Sequence, residues 1–254
     1  MEDIKFNNER DIDGFFRHLK VLGSGAEGVV HKKGIYAYKR YNDLYRDLYS
    51  NDISIYRLSR YRDVIIDNIY FIRALIYYND MVVGSVSNFS GGISCSKLRL
   101  YMCRLDKLVR ALSILKKNVY ELSELGICME DIFLGNILYL DGTFRFIDTG
   151  SYYDYIDIPG VDRNDVDLVY RKNMRKVINK LFLCITDYRG EEDNFIYRFL
   201  LDTDSIYKDY MCDIDLMIDP DNTILGIKRE VEEYIGYGMD SFSTCRKELV
   251  KLKK

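Results

Sequence analysis

Between Phe16 and Lys39, β-branched and aromatic residues alternate with polar ones and are broken by glycines. This is the pattern of short strands, with Lys32-Lys33-Gly34 as a hairpin turn and Lys39 on the returning strand. Residues 45–61 carry Leu48, Ile53, Ile55, Tyr56 and Leu58 at periodic positions among charges, which predicts one amphipathic helix. Ile65 to Tyr78 and Met81 to Phe89 predict two further strands, joined by Asn79-Asp80. After Asn88-Phe89-Ser90-Gly91-Gly92 the period changes, and Leu98 to Leu125 reads as helix. The passage from a mainly β to a mainly α region is therefore placed at about residue 90, giving domains 1–90 and 91–254. Within the second, Ile137 to Leu140, the turn Asp141-Gly142 and Phe144 to Ile147 predict a hairpin with Asn136 and Asp148 at its ends. Beyond Asp165 the pattern is mostly helical, and residues 193–254 carry no signature of their own.

Composition narrows the classes. A chain of 254 residues that is 48% hydrophobic can bury a core. A net charge of -3 leaves no basic footprint for nucleic acid. No apolar run reaches the length of about 18 residues needed to span a membrane, and the start, Met1-Glu2-Asp3, is charged; a cytoplasmic protein is expected. Six cysteines in such a chain are read as reduced and mostly buried, Cys128 included. With only His18 and His31, read as a helix-face and a strand-edge residue, histidine-based zinc or triad chemistry is nearly excluded. The acidic residues Asp154, Asp157, Asp162, Asp165 and Asp167 lack calcium-loop spacing and read as a solvated segment.

Three stretches carry the candidate chemistry. Leu22-Gly23-Ser24-Gly25-Ala26-Glu27-Gly28-Val29-Val30 is a G-x-G-x-x-G-x-V loop, in which missing Cβ atoms let backbone N–H groups approach phosphate oxygens. Taken alone it is a glycine-rich turn. It lacks the Gly-Lys-Ser/Thr of a Walker loop, and strand-like Val29-Val30-His31 replaces the helix a dinucleotide fold requires. Tyr38-Lys39 follows, the lysine on an apolar strand. Asp131-Ile132-Phe133-Leu134-Gly135-Asn136 then spaces an aspartate from an asparagine, with Phe146-Ile147-Asp148-Thr149-Gly150 after it.

In that order and spacing the set resembles the protein-kinase-like superfamily, which includes protein kinases and the aminoglycoside and choline kinases. The resemblance covers roughly residues 15–190. It implies an α+β, two-lobed protein-kinase-like fold, with a small, mainly antiparallel β N-lobe and a larger, mainly α C-lobe. It implies ATP and Mg²⁺ as cofactors. Gly23, Ser24, Gly25, Gly28 and Val30 are then expected to cradle the nucleotide, and Lys39 to pair with its phosphates and with an acid on the following helix. That helix has no glutamate; Asp52 matches best, with Asp47 second. Asp131 is the expected proton acceptor, and Asn136 and Asp148 the expected metal ligands.

The chain also departs from the family. Met129-Glu130 stand where His-Arg is usual, Thr149 where protein kinases have Phe, and Phe133 where a basic residue steadies the transferring group. The Leu134-Gly135-Asn136-Ile137-Leu138 run is closer to small-molecule kinases, and no Ala-Pro-Glu follows Asp148. The leading expectation is an atypical Ser/Thr-type protein kinase acting on a hydroxyl. The alternatives are a kinase of the aminoglycoside phosphotransferase type, with a small-molecule acceptor, and a nucleotide-binding pseudokinase. Tyr152, Tyr153 and Tyr155 are expected to pack against the α-lobe with hydroxyls at the surface. No nucleic-acid or membrane partner is expected.

Overall fold

The computed structural model describes residues 1–155, 165–185, 199–200, 203, 205, 207, 219–236 and 238–244. The fold is mixed α+β and falls into two units, Met1–Gly91 with Phe146–Tyr153, and Gly92–Arg145 with Asp154–Lys254.

The first unit is built on a six-stranded sheet. Its strands are β1 (Ile4–Phe6), β2 (Lys20–Ser24), β3 (Gly28–Lys33), β4 (Tyr36–Tyr41), β5 (Ile72–Tyr78) and β6 (Met81–Asn88), in the order β1-β5-β6-β4-β3-β2. All pairings are antiparallel except β1 with β5. The β5–β6 turn is tight because Asn79 and Asp80 both take positive φ (45° and 65°), as a two-residue hairpin loop requires. Alternation along β4 sends Tyr38 and Arg40 to one face and Lys39 and Tyr41 to the other. On the first face, Ile12 and Phe16 of helix α1 (Glu9–Arg17) pack with Tyr38, Ala74, Ile76, Val83 and Val86. On the second, Leu58 packs with Tyr41, Ile72, Leu75 and Val82. Each such buried aliphatic or aromatic side chain contributes about 1.5–3 kcal/mol.

Several expectations are corrected here. Phe16 belongs to α1, which Asn8 caps by accepting from the backbone N–H groups of Arg10 and Asp11. The single helix expected over 45–61 is two, α2 (Asp43–Tyr49) and α3 (Asp52–Ser59). The break is Asn51, whose backbone is extended and whose side chain accepts from Ser54 N–H at 2.9 Å; a good N-cap outcompetes helix continuation. The strand expected from Ile65 starts at Ile72, because the preceding segment turns at Asn68 (φ 64°) to bond Phe146. His31 is no edge residue: β3 lies between β2 and β4, and the imidazole is buried against Phe16, ring centroids 5.0 Å apart. His18 caps the C-terminus of α1.

In the second unit the described helices are α4 (Leu105–Glu124), α5 (Val166–Ile185) and α6 (Pro220–Ile235). Leu105, Leu108, Leu112, Leu115, Val119 and Leu122 recur at helical spacing on α4 and are buried, and α4 packs against both α5 and α6. Short strands β7 (Ile93–Ser94), β9 (Ile137–Leu140) and β10 (Thr143–Phe146) form a second sheet in the order β10-β9-β7, and β8 (Ile127–Cys128) follows α4. The hairpin turn is Asp141-Gly142, with φ 50° and 76°. Among the described residues, Cys95 and Cys128 are buried and Cys103 and Cys184 half-buried, and no helix is long and apolar enough to cross a membrane.

Candidate functional site

In the first unit the chain brings Lys39 and Asp148, 109 residues apart, into direct contact. Lys39 Nζ lies 2.8 Å from each carboxylate oxygen of Asp148. It also pairs with the Glu27 carboxylate. Lys39 reaches this position from β4, whose register pairs it with Val30 on β3 and Ser85 on β6. Asp148 arrives from β10. Phe146 N–H donates to Asn68 C=O at 2.7 Å, and Phe146 C=O accepts from Tyr70 N–H at 2.9 Å. Asp148 then takes a left-handed backbone, φ 60°, before a 3₁₀ turn over Thr149–Ser151. Buried Thr149 fixes that turn by donating its hydroxyl to Tyr70 C=O at 3.2 Å.

The Lys39 side chain is 15% exposed, against 31% for Glu27 and 37% for Asp148. Burial alone pushes its ammonium pKa down. The Asp148 carboxylate, followed by Glu27, outweighs that, and the pKa stands above the ordinary lysine value. Lys39 is thus held as a cation beside two carboxylates, the arrangement that presents a positive charge to a phosphate and an oxygen donor to a hard cation.

The glycine-rich loop is the turn between β2 and β3. Gly23 and Gly25 have open space where a Cβ would stand, and Gly25 N–H donates to Gly28 C=O at 2.9 Å. A β-bulge lies between Val21 and Gly23, next to Ser24, which ends β2. Gly28 is different: a Cβ there would lie 1.9 Å from the carbonyl oxygen of Arg40, so this glycine serves the β3–β4 approach. Asn42 ties the loop down, its N–H donating to Glu27 C=O at 2.9 Å and its Nδ2 to Ala26 C=O at 2.6 Å.

Asp52 does not reach Lys39; among the described residues the lysine's acidic partners are Glu27 and Asp148. Asp52 is exposed in the first turn of α3, where a carboxylate is favoured by the helix dipole. Asp47 is exposed on α2.

The second unit holds the Asp131–Asn136 turn. Asp131 is exposed with φ 50°, and Asn136 folds back on it, Nδ2 donating to Asp131 C=O at 3.4 Å and N–H to Phe133 C=O at 2.8 Å. Ser94 supports the turn, its hydroxyl donating to Leu134 C=O at 3.0 Å. Upstream, the fully buried Asn173 of α5 holds the strand that leads into Asp131. Its Oδ1 accepts from Met129 N–H at 2.8 Å, and its Nδ2 donates to Ile127 C=O at 2.9 Å and Ser123 Oγ at 3.2 Å. One turn on, Lys176 donates to Met129 C=O at 2.8 Å and pairs with Glu130. The Glu130 carboxylate therefore has a cation beside it. Phe133 is 59% exposed.

Tyr152 corrects another expectation. It is buried in the first unit, packed edge-on to Phe71 with centroids 6.2 Å apart, and its hydroxyl is buried with it. Tyr155 is buried in the second unit with Lys172 over its ring. Asp157 and Asp162 lie outside the described residues.

Glu27, Asn42, Asn173 and Lys176 escaped the sequence reading as parts of the site. Asn42 carried a signal, a capping residue just after a strand. Asn173 and Lys176 carried none beyond an i, i+3 spacing on a helix. No protein-family model matches the chain, and no curated protein matches it.

Proposed function

We propose that this protein is an ATP- and Mg²⁺-dependent phosphotransferase of the two-lobed protein-kinase-like fold, an atypical Ser/Thr-type kinase acting on a protein hydroxyl. The observation that carries this reading is the 2.8 Å contact of Lys39 with Asp148 across 109 residues of sequence. The resemblance implies one nucleotide site with Lys39 at the phosphates and Asp148 at the metal, and the direct contact of the two side chains supports that pairing of roles. The open space over Gly23 and Gly25 supports it.

In this reading Lys39, Gly23, Ser24, Gly25 and Val30 hold the nucleotide. Asp148 and Asn136 offer a carboxylate and an amide oxygen, hard donors suited to Mg²⁺, which neutralises phosphate charge when bound. Asp131 orients the acceptor hydroxyl and takes its proton as the new O–P bond forms and the bond from the γ-phosphorus to the β,γ-bridging oxygen breaks. The exposure of Asp131 suits a group that must reach an external acceptor.

Exposed Phe133 favours a second reading, a nucleotide-binding pseudokinase, because no cation at that position steadies the transferring group. Incubation with γ-labelled ATP, Mg²⁺, a generic protein substrate and a panel of hydroxyl-bearing small molecules decides among the readings. Label on protein, lost in Asp131→Asn, supports the first. Label on a small molecule makes the acceptor a metabolite, and ATP binding without transfer to anything leaves the pseudokinase.

A further inference from the structure

We propose that Glu27, inside the glycine-rich loop, is the positioning residue of Lys39, taking the place of an acid on the following helix. The inference rests on the nucleotide reading above and adds to it the way the lysine is held. Glu27 pairs with Lys39 Nζ directly. It does so from a fixed backbone, since Asn42 bonds the carbonyls of both Ala26 and Glu27, and Gly28 is pressed against Arg40. Asn42 also caps α2, accepting from Tyr45 N–H at 3.1 Å. From that same helix Tyr49 lies beside the Glu27 carboxylate, and burial first, then that negative charge, push its phenol above the ordinary tyrosine value. Loop, cap and helix therefore form one bracket around a single carboxylate.

The two acids on Lys39 are not equivalent. Asp148 is the more exposed and lies on the segment read as metal-binding, so it is the one that turns away when a cation is taken up. Glu27 keeps Lys39 extended over Tyr41, 5.8 Å from the ring centroid, once Asp148 is engaged elsewhere. Because the acid belongs to the loop, completing the pair requires no movement of α3. This accounts for a helix without glutamate whose Asp52 faces solvent.

The test is isothermal titration with ATP and Mg²⁺ of the unaltered chain, Glu27→Gln, Glu27→Asp, Lys39→Ala, the double variant Glu27→Gln/Lys39→Ala, and Asp52→Ala. Loss of a charge-assisted contact that orients a phosphate ligand weakens ATP by about tenfold. Glu27→Gln is expected to show that loss and Glu27→Asp part of it, with Asp52→Ala changing affinity less than Glu27→Gln does. In the Lys39→Ala background Glu27→Gln is expected to add nothing, an outcome a merely structural role of Glu27 does not produce. In turnover assays the Glu27 effect should fall on KM for ATP rather than on kcat. Affinity within about twofold of the unaltered protein in Glu27→Gln, or tighter, overturns the proposal; tighter binding would make Glu27 a competitor of the nucleotide. No ATP binding by the unaltered chain removes the nucleotide reading and this inference together.

Discussion

Gly28 and Arg40 stand so close across the β3–β4 ladder that a Cβ on Gly28 would lie 1.9 Å from the Arg40 carbonyl oxygen and 2.8 Å from its carbon. Backbone cannot swing aside as a side-chain tip can. Gly28→Ala is therefore expected to cost about 1–3 kcal/mol, the range for forced overpacking, and to lower the melting temperature. Gly23→Ala and Gly25→Ala meet nothing within 4 Å and should leave melting unchanged while weakening ATP binding. Thermal unfolding and ATP titration of the three variants separate the fold's glycine from the ligand's. Equal melting temperatures for all three would contradict the assignment.

Asn173 saturates three groups around the strand before Asp131. Asn173→Leu leaves the Met129 N–H and the Ile127 C=O buried and unpaired, each costing about 1–3 kcal/mol. Urea unfolding should show a loss of at least about 2 kcal/mol, with phosphotransfer falling as the Asp131 turn loosens. A loss below about 0.5 kcal/mol would show that the strand is held by other means.

The raised pKa of Lys39 sets the sign of a pH effect. A lysine whose folded pKa exceeds its unfolded value of about 10.4 contributes stability that is complete below that value and is lost as pH rises through the folded pKa. Lys39→Met should thus melt below the unaltered protein at pH 7, and the gap should close above about pH 10.4. A gap constant from pH 7 to 12 would deny the charge pairing.

Tyr152 has its hydroxyl buried with no hydrogen-bond partner among the described residues. Tyr152→Phe should leave stability unchanged or raise it by no more than about 1 kcal/mol, and should leave phosphotransfer intact. A melting temperature several degrees lower would mean that the hydroxyl is bonded.

How far the sequence carried the account depended on the range of each signal. Local patterns were legible: the β5–β6 turn at Asn79-Asp80 and the hairpin turn at Asp141-Gly142 follow from residues that tolerate positive φ. The α2–α3 break is not legible because Leu48, Ile55 and Leu58, spaced by seven and three residues, keep a helical period across Ser50-Asn51, and capping at Asn51 wins over that period. Lys39 and Asp148 were named from motif spacing. Their partners are harder to read: Glu27 is an intervening residue of the loop motif, while the following helix, where the resemblance implies the acid, places Asp52 in solvent. Asn173 and Lys176 could not be foreseen, because their importance is a tertiary distance to Met129 and Glu130.

The central claim, that Lys39 and Asp148 form part of a magnesium-nucleotide site, is tested most directly by the melting temperature with saturating ATP in the presence and absence of Mg²⁺. A ligand that binds only the folded chain stabilises it by about 2.7 kcal/mol at a hundred times its dissociation constant. ATP should therefore raise the melting temperature by several degrees with Mg²⁺ and much less without it, and Asp148→Ala should abolish the magnesium dependence. A melting curve of the unaltered protein that does not move with ATP and Mg²⁺ would contradict the account.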